Sequence, residues 1–133
     1  MAFLLDTNAV SDLLRHPTGA VAAGIAKAGH HNVFTSIIVA GELRFGAEKR
    51  GSPHLKELVD GVLKRVPILG LLEPADRLYA QLRHALQRRG APIGSNDLLI
   101  AAHALSTKSV LVTDNVHEFS RVPGLAIENW FRQ

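Results

Sequence analysis

The chain has 133 residues and no cysteine, with 47% hydrophobic and 20% charged residues. That composition suits one globular domain around one core, and it excludes disorder, disulfides and thiolate metal sites. The net charge is +3; no apolar run reaches the ~18 residues of a membrane span and no signal-peptide pattern opens the chain, so the expectation is a single cytoplasmic domain over 1–133 with no membrane contact.

In chain order, residues 2–5 predict a short buried strand and Asn8 to Arg15 a helix. His16-Pro17-Thr18-Gly19 interrupts it, and an Ala-rich helix follows to about Lys27. Asn32 to Thr35 predicts a second strand, and Ser36 caps a helix to about Arg50 that Gly51-Ser52-Pro53 ends. Pro53 to Arg65 predicts an amphipathic helix, and Val66 to Leu69 a third strand. Pro74 to Arg89 predicts a long helix stopped by Gly90 and Pro92, and Asn96 to Leu105 a short, almost wholly apolar one. Ser109 to Thr113 and Leu125 to Ile127 complete the strands. Strands alternating with helices predict an α/β/α sandwich, three layers around a central parallel sheet of about five strands.

Two of these strands end in an aspartate. Phe3-Leu4-Leu5-Asp6-Thr7-Asn8 and Val110-Leu111-Val112-Thr113-Asp114-Asn115 place Asp6 and Asp114 where the strands of an open α/β sheet line the ligand crevice. Gly94-Ser95-Asn96-Asp97 opens the apolar helix with a third acid in its first turn, where the helix dipole favours negative charge. Singly, Asp6 and Asp97 also read as helix caps, and Asp114-Asn115 as a turn. Glu42 adds a fourth acid. With Ile38 four residues before it and Phe45 three after, it is expected on the apolar side of its helix, where a carboxylate needs a partner or a metal. Gathered on one sheet edge, four carboxylates raise one another's pKa unless a cation neutralises them. An all-oxygen donor set suits Mg²⁺ or Mn²⁺, and such a site can hydrolyse a phosphodiester.

With four acids gathered in one site, 8 acidic residues face 15 basic ones elsewhere, an excess of +7 that attracts polyanions such as RNA or DNA. Arg83 and Arg88, with His84 and Arg89, form a basic stretch on the long helix that either contacts phosphate or is a solvated helix end. His30-His31 lacks metal-ligand spacing. His103 reads as a packed histidine, and Trp130 and Phe131 as residues docking the C-terminal segment onto the core.

Leu4-Leu5-Asp6-Thr7-Asn8, Ser36 with Glu42-Leu43 and Gly46-Ala47-Glu48-Lys49, and a long C-terminal run carry a resemblance. That run comprises Pro92-Ile93-Gly94, Asp97, Ile100-Ala101-Ala102-His103-Ala104 and Leu111-Val112-Thr113, then Glu118-Phe119, Arg121 to Leu125 and Glu128-Asn129-Trp130. Over almost its whole length the sequence resembles PIN-domain ribonucleases, and more narrowly VapC-type toxins of type II toxin–antitoxin systems. The resemblance implies Mg²⁺- or Mn²⁺-dependent endonucleolytic cleavage of RNA, often transfer RNA in close relatives. It also implies inhibition by a cognate VapB-like antitoxin and a toxin homodimer that assembles further with that antitoxin. Asp6, Glu42 and Asp97 match the family's three firm acidic positions. The fourth falls after Thr113, where many members carry Thr, any residue, then Asp; here Asn115 stands at that last place, Asp114 is the nearest acid and Glu118 another candidate. In this assignment Asp6, Asp97 and Asp114 hold the ion, while Glu42 completes the cluster and helps to orient the attacking water. Two other functions are compatible with the elements: a non-catalytic RNA- or protein-binding module, and a phosphotransferase using Asp6 as nucleophile. The second wants an aspartate two residues on, where Asn8 stands.

Overall fold

The computed structural model describes residues 1–131. The apolar segments form five strands, β1 (Phe3–Leu5), β2 (Val33–Ser36), β3 (Ile68–Leu69), β4 (Val110–Val112) and β5 (Ile127–Glu128). All pair in parallel, in the order β3-β2-β1-β4-β5. Helices α1 (Thr7–Arg15), α2 (Ala20–Ala28), α3 (Ile37–Arg50) and α4 (Pro53–Arg65) pack among themselves. Helices α5 (Ala75–Arg88) and α6 (Ser95–Ser106) pack on each other. Right-handed crossovers put these two groups on opposite faces of the sheet, because the chain winds away from β1 in one direction and returns past it in the other. The expected three-layer architecture is what forms. Leu4, Leu5, Ile100, Ala101, Leu111 and Val112 have no exposed surface and centre the core.

Local chemistry sets the helix boundaries. Asp6 caps α1, with its Oδ1 accepting from the Ala9 N–H at 2.8 Å. Ser52 caps α4 in the same way, with Pro53 at the first helical position. Gly51, at φ 63°, ends α3 in the left-handed region that a side chain would resist. Ser36 has two tasks. Its hydroxyl accepts from the Ile38 N–H at 3.1 Å and lies 2.8 Å from Nδ1 of His103, both residues being buried. His103 is packed as expected, its ring tilted against Phe34, and burial lowers its pKa below the usual 6.5. Ser36→Ala is expected to destabilise the protein by about 2 kcal/mol in a urea melt, since it removes a cap and leaves a buried imidazole nitrogen unsatisfied. A loss under about 0.5 kcal/mol would show that water replaces both contacts.

Several expectations change, among them β3, which is shortened from the predicted Val66 to Leu69 because Val66 closes α4. β5 starts two residues later than the predicted Leu125 to Ile127 and ends one later, because the chain makes a turn through Gly124 (φ 79°) before pairing with Leu111 and Val112. A one-turn helix, α7 (Val116–Phe119), forms where none was predicted and buries Phe119. Phe45 is 68% exposed, whereas Val39, Ala40 and Ala47 are the buried residues of α3. Glu42 is therefore half-buried at the margin of the core face, not at its centre. The reason is that α3 contacts α1, α4 and α6 on different sides, so its apolar residues spread around the helix and periodicity does not single out one face. Trp130 docks as predicted: its ring lies 5.2 Å from that of Phe3 and covers Gly24, where a Cβ would come within 2.6 Å of it.

Candidate active site

The strand order reverses between β1 and β4, and the crevice opens at their carboxyl ends. Asp6 follows β1 there, its N–H donating to the Val112 carbonyl at 3.1 Å, while Thr113, Asp114 and Asn115 follow β4. Helix α3, which leaves β2 at the same edge, brings Glu42. The first turn of α6 brings Asp97.

Asp6 is buried and Asp97 is half-buried. Burial raises the Asp6 pKa to about 6; hydrogen bonds from the Thr113 hydroxyl and the Ala9 N–H oppose the rise, and the charges of Asp114 and Glu42 add to it. Asp97 is raised further, to about 7, by burial first, then by a hydrogen bond with Glu118 and the charges of Glu118, Glu42 and Asp6. Asp97 and Glu118 therefore lie side by side. Glu118 Oε2 accepts from Asn115 Nδ2 at 2.9 Å, while its Oε1 is buried and no N–H or hydroxyl reaches it.

Neighbouring hydroxyls and amides hold the remaining acids. The Thr7 hydroxyl donates to Glu42 Oε1, and Asn96 Nδ2 donates to Glu42 Oε2 at 3.2 Å. Glu42 thus bridges the starts of α1 and α6. Asn8 Nδ2 donates to Asp114 Oδ1 at 3.1 Å, at an exposed position. Thr113 Oγ1 accepts from the Asn115 N–H at 2.9 Å while its hydroxyl faces Asp6. The signal for these orienting residues lay in their adjacency to the acids, in Asp6-Thr7-Asn8 and Ser95-Asn96-Asp97. What it lacked was the partner of each, which only the fold supplies.

The structure brings Asp6, Glu42, Asp97, Asp114 and Glu118 into one electrostatically linked cluster. Asn115 turns its amide to Glu118. Arg83 lines a separate cleft beside Ser95, and Arg88 is exposed in the last turn of α5. Among the described residues, no three His, Asp or Glu side chains converge closely enough to hold a metal ion as they stand. The chemistry of the donor set nevertheless fits a hard divalent cation. The ring is oxygen-only, it carries several like charges with nothing basic among them, and it includes a buried carboxylate oxygen without a donor. Glu118 is the acid that best matches Asp97 in contact, and Asp114 the one nearest Asp6 in charge.

The PIN domain family profile matches residues 3–125. The chain is 36% identical over 132 residues to Ribonuclease VapC2 of Rickettsia felis, covering 98% of both sequences. It is 34% identical over 131 residues to the tRNA(fMet)-specific endonuclease VapC of Salmonella typhimurium, again over 98% of each. The fold superposes on a chain of the crystal structure of DNA-bound VapBC from Salmonella typhimurium with a TM-score of 0.91 and 34% identity, covering 98% of each chain.

Proposed function

Since the chain belongs to the PIN domain family, among its VapC-type ribonuclease toxins, we propose that it is a single-domain endoribonuclease, spanning 1–133, that hydrolyses RNA phosphodiester bonds with Mg²⁺ or Mn²⁺. The observation that carries this is the carboxylate ring at the β1–β4 crevice. Burial first, and then neighbouring carboxylate charge, raises the pKa values of Asp6 and Asp97 to about 6 and 7, and a divalent cation would offset both costs.

Asp6, Asp97 and either Asp114 or Glu118 would hold the ion, exchanging protons and protein donors for it. When bound, the cation supplies charge neutralisation at the scissile phosphate and lowers the pKa of water. The chain's own residues do the rest. Thr113 and the Ala9 N–H fix the Asp6 carboxylate. Thr7 and Asn96 clamp both oxygens of Glu42, which orients the attacking water and accepts its proton. For the fourth acid, contact with Asp97 and a donorless oxygen favour Glu118 over exposed Asp114. Glu118→Gln is expected to lower the cleavage rate at least about tenfold, and Asp114→Asn by less; the reverse order would assign the position to Asp114.

As partners we assign RNA, in keeping with the ribonuclease relatives, and a VapB-like antitoxin that would block the crevice, in keeping with the related VapBC complex. Ile37 and Phe45, exposed apolar residues of α3, support a protein-covered surface and a homodimer that joins the antitoxin. No described helix is long and apolar enough to cross a membrane, and we place the protein in the cytoplasm with its RNA substrate, for which transfer RNA is the first candidate. Asp6 as a phosphotransferase nucleophile is disfavoured, because it is 4% exposed and one of its oxygens caps α1.

The deciding experiment is cleavage of total RNA by the purified, antitoxin-free chain with Mg²⁺, Mn²⁺ or EDTA. Discrete fragments that require metal are expected, and end mapping then names the target. Folded protein that cleaves nothing in either metal would instead indicate a binding module.

A further inference from the structure

Helix α5 presents Tyr79, Arg83 and Gln87 at four-residue spacing, so the three side chains share one face. Arg83 and Gln87 line a cleft of about 150 Å³ between α5 and α6, whose other walls are Pro92, Ile93, Ser95 and Leu98 over the buried Leu86, while Tyr79 stands one turn further along α5. The volume is half the ~300 Å³ of a small free-standing ligand pocket, and it suits one base of a longer bound strand.

The polar groups of this cleft are uncommitted. Arg83 donates once, from Nη1 to the Tyr79 hydroxyl at 2.8 Å, and its guanidinium lies 6.0 Å from that ring. Arg44, by contrast, is paired with Asp60, and Arg89 and Arg121 are tied to backbone carbonyls. Among the described residues Arg83 has no carboxylate partner, and the Gln87 amide and Ser95 hydroxyl make no protein hydrogen bond. The cleft is also joined to the acidic ring. Ser95 is followed by Asn96, which holds Glu42, and by Asp97. These three residues occupy the first turn of α6, so cleft and ring both border the start of one helix.

Resting on the nuclease reading, we propose that this cleft is the subsite for one unpaired nucleotide flanking the scissile phosphate of the RNA. Arg83, steadied by Tyr79, takes its phosphate. The base enters between α5 and residues 92–95, where Gln87 and Ser95 meet its hydrogen-bonding edge. Recognition of unstacked bases by aromatic, guanidinium and amide groups is how proteins read single-stranded RNA. Gln87 carries both a donor and an acceptor, so it distinguishes bases, whereas Arg83 binds every sequence. Arg83 and Gln87 are positioning and specificity residues for the reaction performed at Asp6, Glu42 and Asp97.

The test uses the metal-loaded full chain and short RNA oligonucleotides spanning a mapped cut, with each flanking base varied in turn. Arg83→Ala is expected to raise KM about tenfold with kcat within about twofold of wild type. Arg83→Lys, which keeps the charge and loses the fork, is expected to recover part of that rise. Gln87→Ala is expected to leave melting unchanged and to flatten the preference at one flanking base to within about twofold. Wild-type KM in Arg83→Ala, together with an unaltered base preference in Gln87→Ala, overturns the subsite while leaving the nuclease intact. A fall in kcat alone overturns it too, by making Arg83 part of the chemistry. Absence of cleavage by the wild-type chain overturns the nuclease reading and the subsite with it.

Discussion

Asp97→Asn is expected to lower RNA cleavage at least about a hundredfold and, in the same protein without metal, to raise the melting temperature. The first effect follows from the removal of a charged oxygen from the ring that would hold the cation. The second follows from the cost of that charge. Asp97 titrates near pH 7 against a usual 3.8, so the folded state holds its proton where the unfolded state has released it. Stability associated with this carboxyl is full below about pH 4 and declines as pH rises through about 7. Asparagine cannot ionise and escapes the decline. Because Asp97 is half-exposed, solvent screening leaves about 1 kcal/mol, or a gain of roughly 3 °C at pH 8 that disappears near pH 4. His103 acts with the opposite sign: burial depresses its pKa, so its contribution is lost as pH falls below about 6.5. It does so equally in both proteins and cancels from the comparison. Paired melts of wild type and variant at pH 4 and pH 8, beside a cleavage assay, check both parts. A variant less stable than wild type at pH 8 would mean that Asp97 is not crowded. Wild-type cleavage would remove it from the site.

Divalent metal affinity should fall about a thousandfold between pH 8 and pH 5. A cation must displace the protons of Asp6 and Asp97, whose pKa values are about 6 and 7. At pH 8 both are ionised. At pH 5 about one Asp6 in ten and one Asp97 in a hundred are, and the affinity follows the product. Calorimetric titration with Mn²⁺ at the two pH values measures this directly, and the buffered heats report the protons released. EDTA should abolish cleavage at every pH, with recovery on adding Mn²⁺ in excess. An affinity that hardly changes with pH would place the cation away from the Asp6–Asp97 pair.

The sequence by itself determined the elements that position this chemistry. Short apolar runs such as Phe3-Leu4-Leu5 and Val110-Leu111-Val112, bounded by turn residues, predict interior strands. Their alternation with helices leaves a parallel sheet as the packing that covers both faces, and Asp6, Asp97 and Asp114 then fall at strand ends and a helix start. These features are local, or follow from burial, and a linear pattern records them. The tertiary structure alone decided the pairings. Thr7 reaches Glu42 across 35 residues and Asn8 reaches Asp114 across 106, separations at which no spacing rule operates. Only the fold shows that α3 turns Glu42 toward α6 rather than into the core. Only the fold shows that α7 exists and swings Glu118 onto Asp97. A four-residue helix has too few backbone hydrogen bonds to announce itself in sequence; it forms because Phe119 is buried against the core, and its site carboxylate is positioned as a consequence of that packing.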